Sequence, residues 1–285
     1  MKDFQQQTTF ERNNLRLESQ LKVVSHQKDF DLIHLHSQAY AYAVAKLLIT
    51  PCALTIHNKI DPREFKQLQS ANIQTVMLFA DHKNKLKTAA VITNGIAIKE
   101  IPFSSEKEDY LITIGRLTEP KGIDVAIKIA KKAKKKLLIF GRIGNSPKRQ
   151  AYFNEKIKPH LNSQIVYMGE ASQQDIFKYL KNAEALLFPI KPRKNDYLSV
   201  VPLVAMESLA CGTPIIGVPI NLLPKQLCAS DVSCLSNDIN VLTNAAKTTE
   251  KFDRLKCRQL AEKYFDSSVM AEKYLKLYEK MLKLK

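Results

Sequence analysis

The sequence predicts an α/β fold in which two parallel sheets, each covered by helices, form two domains. Three observations carry this. Short apolar runs alternate with stretches of helical period along most of the 285 residues. Those runs are mainly apolar rather than strictly alternating, the mark of strands buried on both faces. A polar, proline-bearing stretch from Glu100 to Asp109 then separates them into two series and reads as an interdomain linker.

In chain order, a helix leads to Asp31, a strand covers Asp31–His36 and a helix covers Ala39–Leu48. Strands follow at Cys52–His57, Val76–Phe79 and Ala89–Thr93. The second series opens with a strand at Tyr110–Gly115, a helix over 122–133, a strand at Lys136–Gly141 and a helix over 150–161. It continues with a strand at Ile165–Met168, a helix over 173–182, a strand at Ala185–Pro189, a helix over 200–210 and a strand at Pro214–Gly217. Met270–Leu282 has apolar residues at helical spacing and must pack on something. Of the eight glycines only Gly95 precedes the linker; the rest lie mostly at strand ends, where open α/β sheets bind ligands. The binding loops therefore belong mainly to the second series.

Composition narrows the function classes. The apolar share of 45% is that of an ordinary globular protein. No apolar run is long enough for a transmembrane helix, and the residues after Met1 lack the apolar core of a signal peptide. The five cysteines (Cys52, Cys211, Cys228, Cys234 and Cys257) form no C-x-x-C pair, which argues against a zinc site or a disulfide framework and for a reducing cytoplasm. A formal charge of +16 suits phosphate-bearing substrates or an anionic membrane. Much of it sits in the lysine run from Lys131 to Lys136, read as a solvated helix end. No aromatics interleave with it, so nucleic acid is not expected as a partner.

Gly115-Arg116-Leu-Thr-Glu-Pro-Lys121-Gly122 follows a strand and opens a helix. A glycine loop, two cations and a helix N-terminus are the parts of a diphosphate site, in which Arg116 grips two phosphate oxygens and Lys121 adds a compact charge. The plain alternative is a turn whose cations face water. Glu207, placed at the start of the helix leading to Gly212-Thr213-Pro214, is a carboxylate able to accept hydrogen bonds from a ribose diol. Its alternative is a carboxylate that merely satisfies the helix dipole.

Together these segments resemble family 4 glycosyltransferases of the GT-B fold, two Rossmann-like domains facing a cleft. Tyr110 to Gly122 resembles that family's strand followed by GR(L/I)xxxKG. Leu138–Gly141, Ile165–Glu170 and Asp175–Pro189 are similar to the segments that come next, and Glu207–Gly217 is similar to its E-A-M-A-C-G-T-P-V-I signature. Asp31-Leu-Ile-His-Leu-His-Ser37 and Thr55-Ile-His57 resemble strands of its N-terminal domain, and the chain from Cys257 onward its closing helices. The resemblance implies retaining transfer of a hexose from a nucleotide-diphosphate sugar, the co-substrate, to a glycan or lipid-linked acceptor, with no cofactor and no bound metal. It assigns residues 1–103 to an acceptor-side domain, 104–265 to a donor-binding domain and 266–285 to a helix returning to the first. Gly115, Arg116 and Lys121 are assigned to the donor diphosphate, Glu207 to the ribose, and the loop from Gly169 and Glu170 to Ser172 to the base. His36 would face the donor sugar across the cleft. His34 is placed on the opposite strand face with a structural role, and His57 ranks behind His36.

The sequence departs from the family pattern in two places. Ser199 stands where the E-x7-E motif has its first glutamate, with Asp196 as the neighbouring candidate for contact with the sugar, and Val200-Val201-Pro202 replaces the P-F-G that follows. The glycine-rich first loop has no counterpart before Gly95, so the first sheet is expected to lack its first strand or two, which a partner chain, a dimer contact or a truncated gene product would each explain. A nucleotide-sugar-binding scaffold that no longer transfers is the rival reading. The expected location is the cytoplasm, peripheral to the inner membrane face, whose anionic lipids suit a basic surface.

Overall fold

The computed structural model describes residues 8–57, 60–71, 73–78, 86–191, 202–219 and 230–283. The chain forms two compact units, Met1–Thr93 with Met270–Lys285, and Asn94–Val269.

The first unit contains α1 (Thr9–Ser25), β1 (Ile33–Leu35), α2 (Ala41–Ala45), β2 (Cys52–Ile56), α3 (Pro62–Ser70), β3 (Gln74–Met77) and β4 (Ala90–Val91). Its strands pair in parallel in the order β1-β2-β3-β4. Strand alternation divides the residues between two layers. Ile33, Leu35, Leu54, Ile56 and Met77 pack with Val44 of α2 and with Phe65 and Leu68 of α3. On the other face Ala53, Val76 and Ile92 are covered by Leu277 and Met281 of the last helix, α10 (Ser267–Lys283). The helix expected over Ala39–Leu48 is shorter than its alanine-rich sequence suggests, because Tyr40 enters it in the left-handed region with φ 65° and the helix ends at Ala45.

The second unit runs β5 (Leu111–Ile114), α4 (Ile123–Ala133), β6 (Leu137–Phe140), α5 (Pro147–Lys156), β7 (Ile165–Gly169), α6 (Gln173–Asn182), β8 (Ala185–Phe188), α7 (Leu203–Ala210), β9 (Ile215–Gly217), β10 (Ser233–Leu235), α8 (Ile239–Lys247) and α9 (Arg254–Phe265). All six strands are parallel, in the order β10-β9-β8-β5-β6-β7. One face is buried by α4 and α8, the other by α6, α7 and α9. The chain steps from β5 outward to β7, then returns to the other side of β5 for β8. The carboxyl ends of β5 and β8 are therefore the switch point, where open sheets of this kind hold ligands.

Two sequence expectations change. The stretch read as a linker is built into the second unit: Ile101 lies in its core, Phe103 rests on Gly212, and Arg258 Nη1 donates to Ile101 O at 2.9 Å. The division between units accordingly falls between Thr93 and Asn94. The lysine run is only partly solvated, since Lys135 Nζ donates to Asp109 at 2.8 Å and to the buried Glu184 at 2.6 Å.

Candidate functional site

At the carboxyl end of the second sheet the backbone of three strands is brought together by glycine. Gly115 N donates to Phe140 O at 2.9 Å and Gly141 N to Gly169 O at 2.8 Å. At Gly141, with φ 149°, a Cβ would fall 1.8 Å from Gly115 O, so any side chain there would push the loops after β5 and β6 apart. The loop after β5 then makes one 3₁₀ turn, Glu119–Lys121, before Gly122 starts α4. Gly122 has φ 67° and sits so close to β8 that a Cβ would lie 1.9 Å from Pro189 O. These approaches fix the path of the turn against the switch point.

Arg116 and Lys121 stand at the two ends of this turn. Arg116 is exposed, whereas the aliphatic part of Lys121 lies over Gly115, within 3.8 Å of where its Cβ would be. Burial, and then the neighbouring Arg116 charge, lower the Lys121 pKa. Among the described residues neither side chain has a carboxylate partner. Two cations without carboxylate partners among the described residues, beside bare main chain, are an arrangement suited to a polyanion. Next to it, Asp124 in the first turn of α4 accepts from Lys191 Nζ and Tyr152 Oη, both at 2.8 Å. Sequence reading missed this pair, which ties the start of α4 to the end of β8.

Glu207 is the fifth residue of α7, not at its start, so a helix-dipole role is removed. It is half-buried, and burial raises its pKa against the opposing hydrogen bond from Gln173. Gln173, the first residue of α6, donates to Glu207 Oε1 at 3.0 Å. Gly169 ends β7 at φ 79° with open space beside it, and the exposed Glu170 lies 3.7 Å from Arg142. Tyr167 Oη donates to Gly141 O at 2.8 Å, joining this loop to the glycine cluster.

In the first unit the histidines form a second cluster. His34 and His36 are two residues apart and so share one strand face; their ring centroids are 4.3 Å apart. The expectation that His34 turns away is therefore corrected. His34 Nδ1 lies 2.6 Å from Tyr278 Oη and its Nε2 2.8 Å from Thr55 Oγ1, which is itself 2.8 Å from Tyr274 Oη. Burial, with His36 and His57 adding to it, pushes the His34 pKa down to about 4. His36 is exposed, and its Nδ1 lies 3.0 Å from His57 Nε2. The tyrosines were invisible to sequence reading because they lie on the last helix, far along the chain.

Ser199 and Asp196 lie outside the described residues. Among the described residues no group of three His, Cys, Asp or Glu side chains is placed to hold a metal ion, and no helix is long and apolar enough to cross a membrane.

A family model described as "Glycosyl transferases group 1" matches residues 96–261. The chain is 24% identical to the uncharacterized glycosyltransferase YqgM of Bacillus subtilis, over 91% of this chain and 80% of that protein. Its fold is similar to the sucrose-phosphate synthase of Thermosynechococcus elongatus, with TM-score 0.74 and 16% identity over 94% of this chain and 79% of that one. It is also similar to HepE of Anabaena, whose crystal structure is in complex with UDP and glucose, with TM-score 0.66 and 16% identity over 90% and 80% of the two chains.

Proposed function

Because this chain belongs to the glycosyl transferases group 1 family, we propose that it is a retaining hexosyltransferase using a nucleotide-diphosphate sugar. The observation that carries this reading is the pair Arg116 and Lys121 at the switch point of the second sheet, set beside glycine backbone and without carboxylate partners among the described residues. As the bond from the anomeric carbon to the diphosphate breaks, negative charge grows on the leaving group, and these two cations meet it. Glu207, held by Gln173, is the acceptor for the ribose hydroxyls. Gly169 and Glu170 border the base, and His36 of the first unit is assigned to the transferred sugar. The HepE complex with UDP and glucose supports a uridine nucleotide as the first donor to try.

The acceptor in this reading is a glycan or lipid-linked sugar, with the basic surface resting on anionic lipid and the first unit taking the acceptor. Transfer proceeds without a metal, so EDTA leaves turnover unchanged. The test is calorimetric titration with UDP- and GDP-sugars, followed by a search for product with lipid extract as acceptor. Turnover lost in Arg116→Ala, with donor binding weakened and the fold intact, is the expected result. Ser199 at the position of the family's first glutamate favours one alternative, a nucleotide-sugar-binding scaffold. Tight donor binding with no product would select it, and failure of either donor class to bind would overturn both.

A further inference from the structure

β1 and β2 are parallel neighbours in register, Leu35 beside Leu54, so His36 and His57 both follow the carboxyl ends of adjacent strands. Their contact, Nδ1 of His36 to Nε2 of His57 at 3.0 Å, is the one hydrogen bond of the His36 ring among the described residues. The two rings are tilted by 35° with centroids 5.3 Å apart. A bond between two imidazole nitrogens needs one proton between them: whichever ring lacks it accepts. The state of His57 therefore dictates that of His36.

The surroundings leave His36 little freedom. Below it lies His34, with both nitrogens engaged by Tyr278 and Thr55 and its ring 4.3 Å away. Thr55 is held in turn by Tyr274. Among the described residues no carboxylate pairs with any of the three histidines. Burial, and then His36, lower the His57 pKa, which leaves it neutral at neutral pH and able to act as partner.

We propose that His57 is the positioning residue for His36, holding Nδ1 so that Nε2 is the nitrogen offered to substrate and fixing which ring nitrogen carries the proton. This rests on the assignment of His36 to the transferred sugar.

The test uses the full chain labelled with ¹⁵N, in which long-range ¹H–¹⁵N correlations report the tautomer of each imidazole, together with His57→Ala and His57→Gln. In the unsubstituted protein His36 is a single tautomer. His57→Ala gives averaged His36 nitrogen shifts while the His34 pattern stays, and turnover falls about tenfold or more with the donor KM within about twofold. His57→Gln places an amide where Nε2 was and recovers most of both. Unchanged His36 shifts in His57→Ala would overturn the proposal, as would a His57→Gln protein as impaired as His57→Ala with the His34 pattern intact. If His57→Ala loses the His34 pattern, His57→Gln decides alone: a single His36 tautomer upholds the proposal and an averaged one overturns it. A tautomer fixed in the parent and released in His57→Ala, in a chain that transfers no sugar, upholds the positioning and overturns the transfer reading.

Discussion

Arg116 and Lys121 repel one another, and in the proposed reading the donor diphosphate relieves that repulsion. Arg116→Ala is expected to weaken UDP binding by about 2 kcal/mol, roughly thirtyfold, the worth of a charge-assisted bond pair. Calorimetry at fixed salt measures it. His34 makes a second prediction. Its pKa is depressed in the fold to about 4, so the unfolded chain takes up a proton near the ordinary 6.5 that the folded chain refuses. The unfolded state then binds more protons, and stability falls as pH drops from 6.5 toward 4. Thermal melting across that range should show the fall, and His34→Asn should flatten it. Tyr40 holds φ 65° and is 39% exposed. Tyr40→Gly relieves the backbone but gives up the buried part of the ring and adds unfolded-chain entropy, so the two effects are expected to offset and leave Tm little changed.

At the scale of elements, the turn after β5 depends on Gly122. A Cβ there meets Pro189 O at 1.9 Å in a left-handed conformation, so Gly122→Ala should both destabilise the second unit and displace Lys121. Loss of UDP affinity together with a lower Tm is the outcome to measure. The same unit is clamped by Arg254, whose guanidinium donates to the carbonyls of Ser104 and Ala183 at 2.9 and 2.8 Å and to that of Lys181. Arg254→Ala strands these buried acceptors and is expected to cost about 3 kcal/mol in chemical denaturation. Neither dependence could be read from sequence. The strands could, because β6 and β8 are buried along their whole length and read as unbroken apolar runs. The glycine turn and its cations were also readable, being contiguous. α3 was missed although its apolar positions are helical: only Phe65 and Leu68 are buried, too few to stand out. The His36–His57 bond and the Gln173–Glu207 bond join residues whose meeting depends on sheet register and helix placement, which local pattern does not fix.

For the whole molecule, the chain passes between units twice, at Thr93–Asn94 and Val269–Met270. The final helix supplies Leu277 and Met281 to the first unit's core and Tyr274 and Tyr278 to its histidine cluster. Among the described residues no core residue of the second unit lies beyond Val269. Ending the chain at Val269 should therefore remove about 5 kcal/mol or more of packing from the first unit, enough to unfold a unit of ordinary stability. Calorimetry should then show one transition lost, while UDP binding survives in the second unit.

The ledge made by Gly115, Gly141 and Gly169 is lined by main-chain amides and carbonyls, which every amino acid carries alike. Substitutions elsewhere in the sheet have no side chain on that rim to remove, and adding a single methyl at Gly141 drives it apart. Tolerance of replacement and intolerance of enlargement thus meet in one spot, and a saturation library read at position 141 should return glycine almost alone.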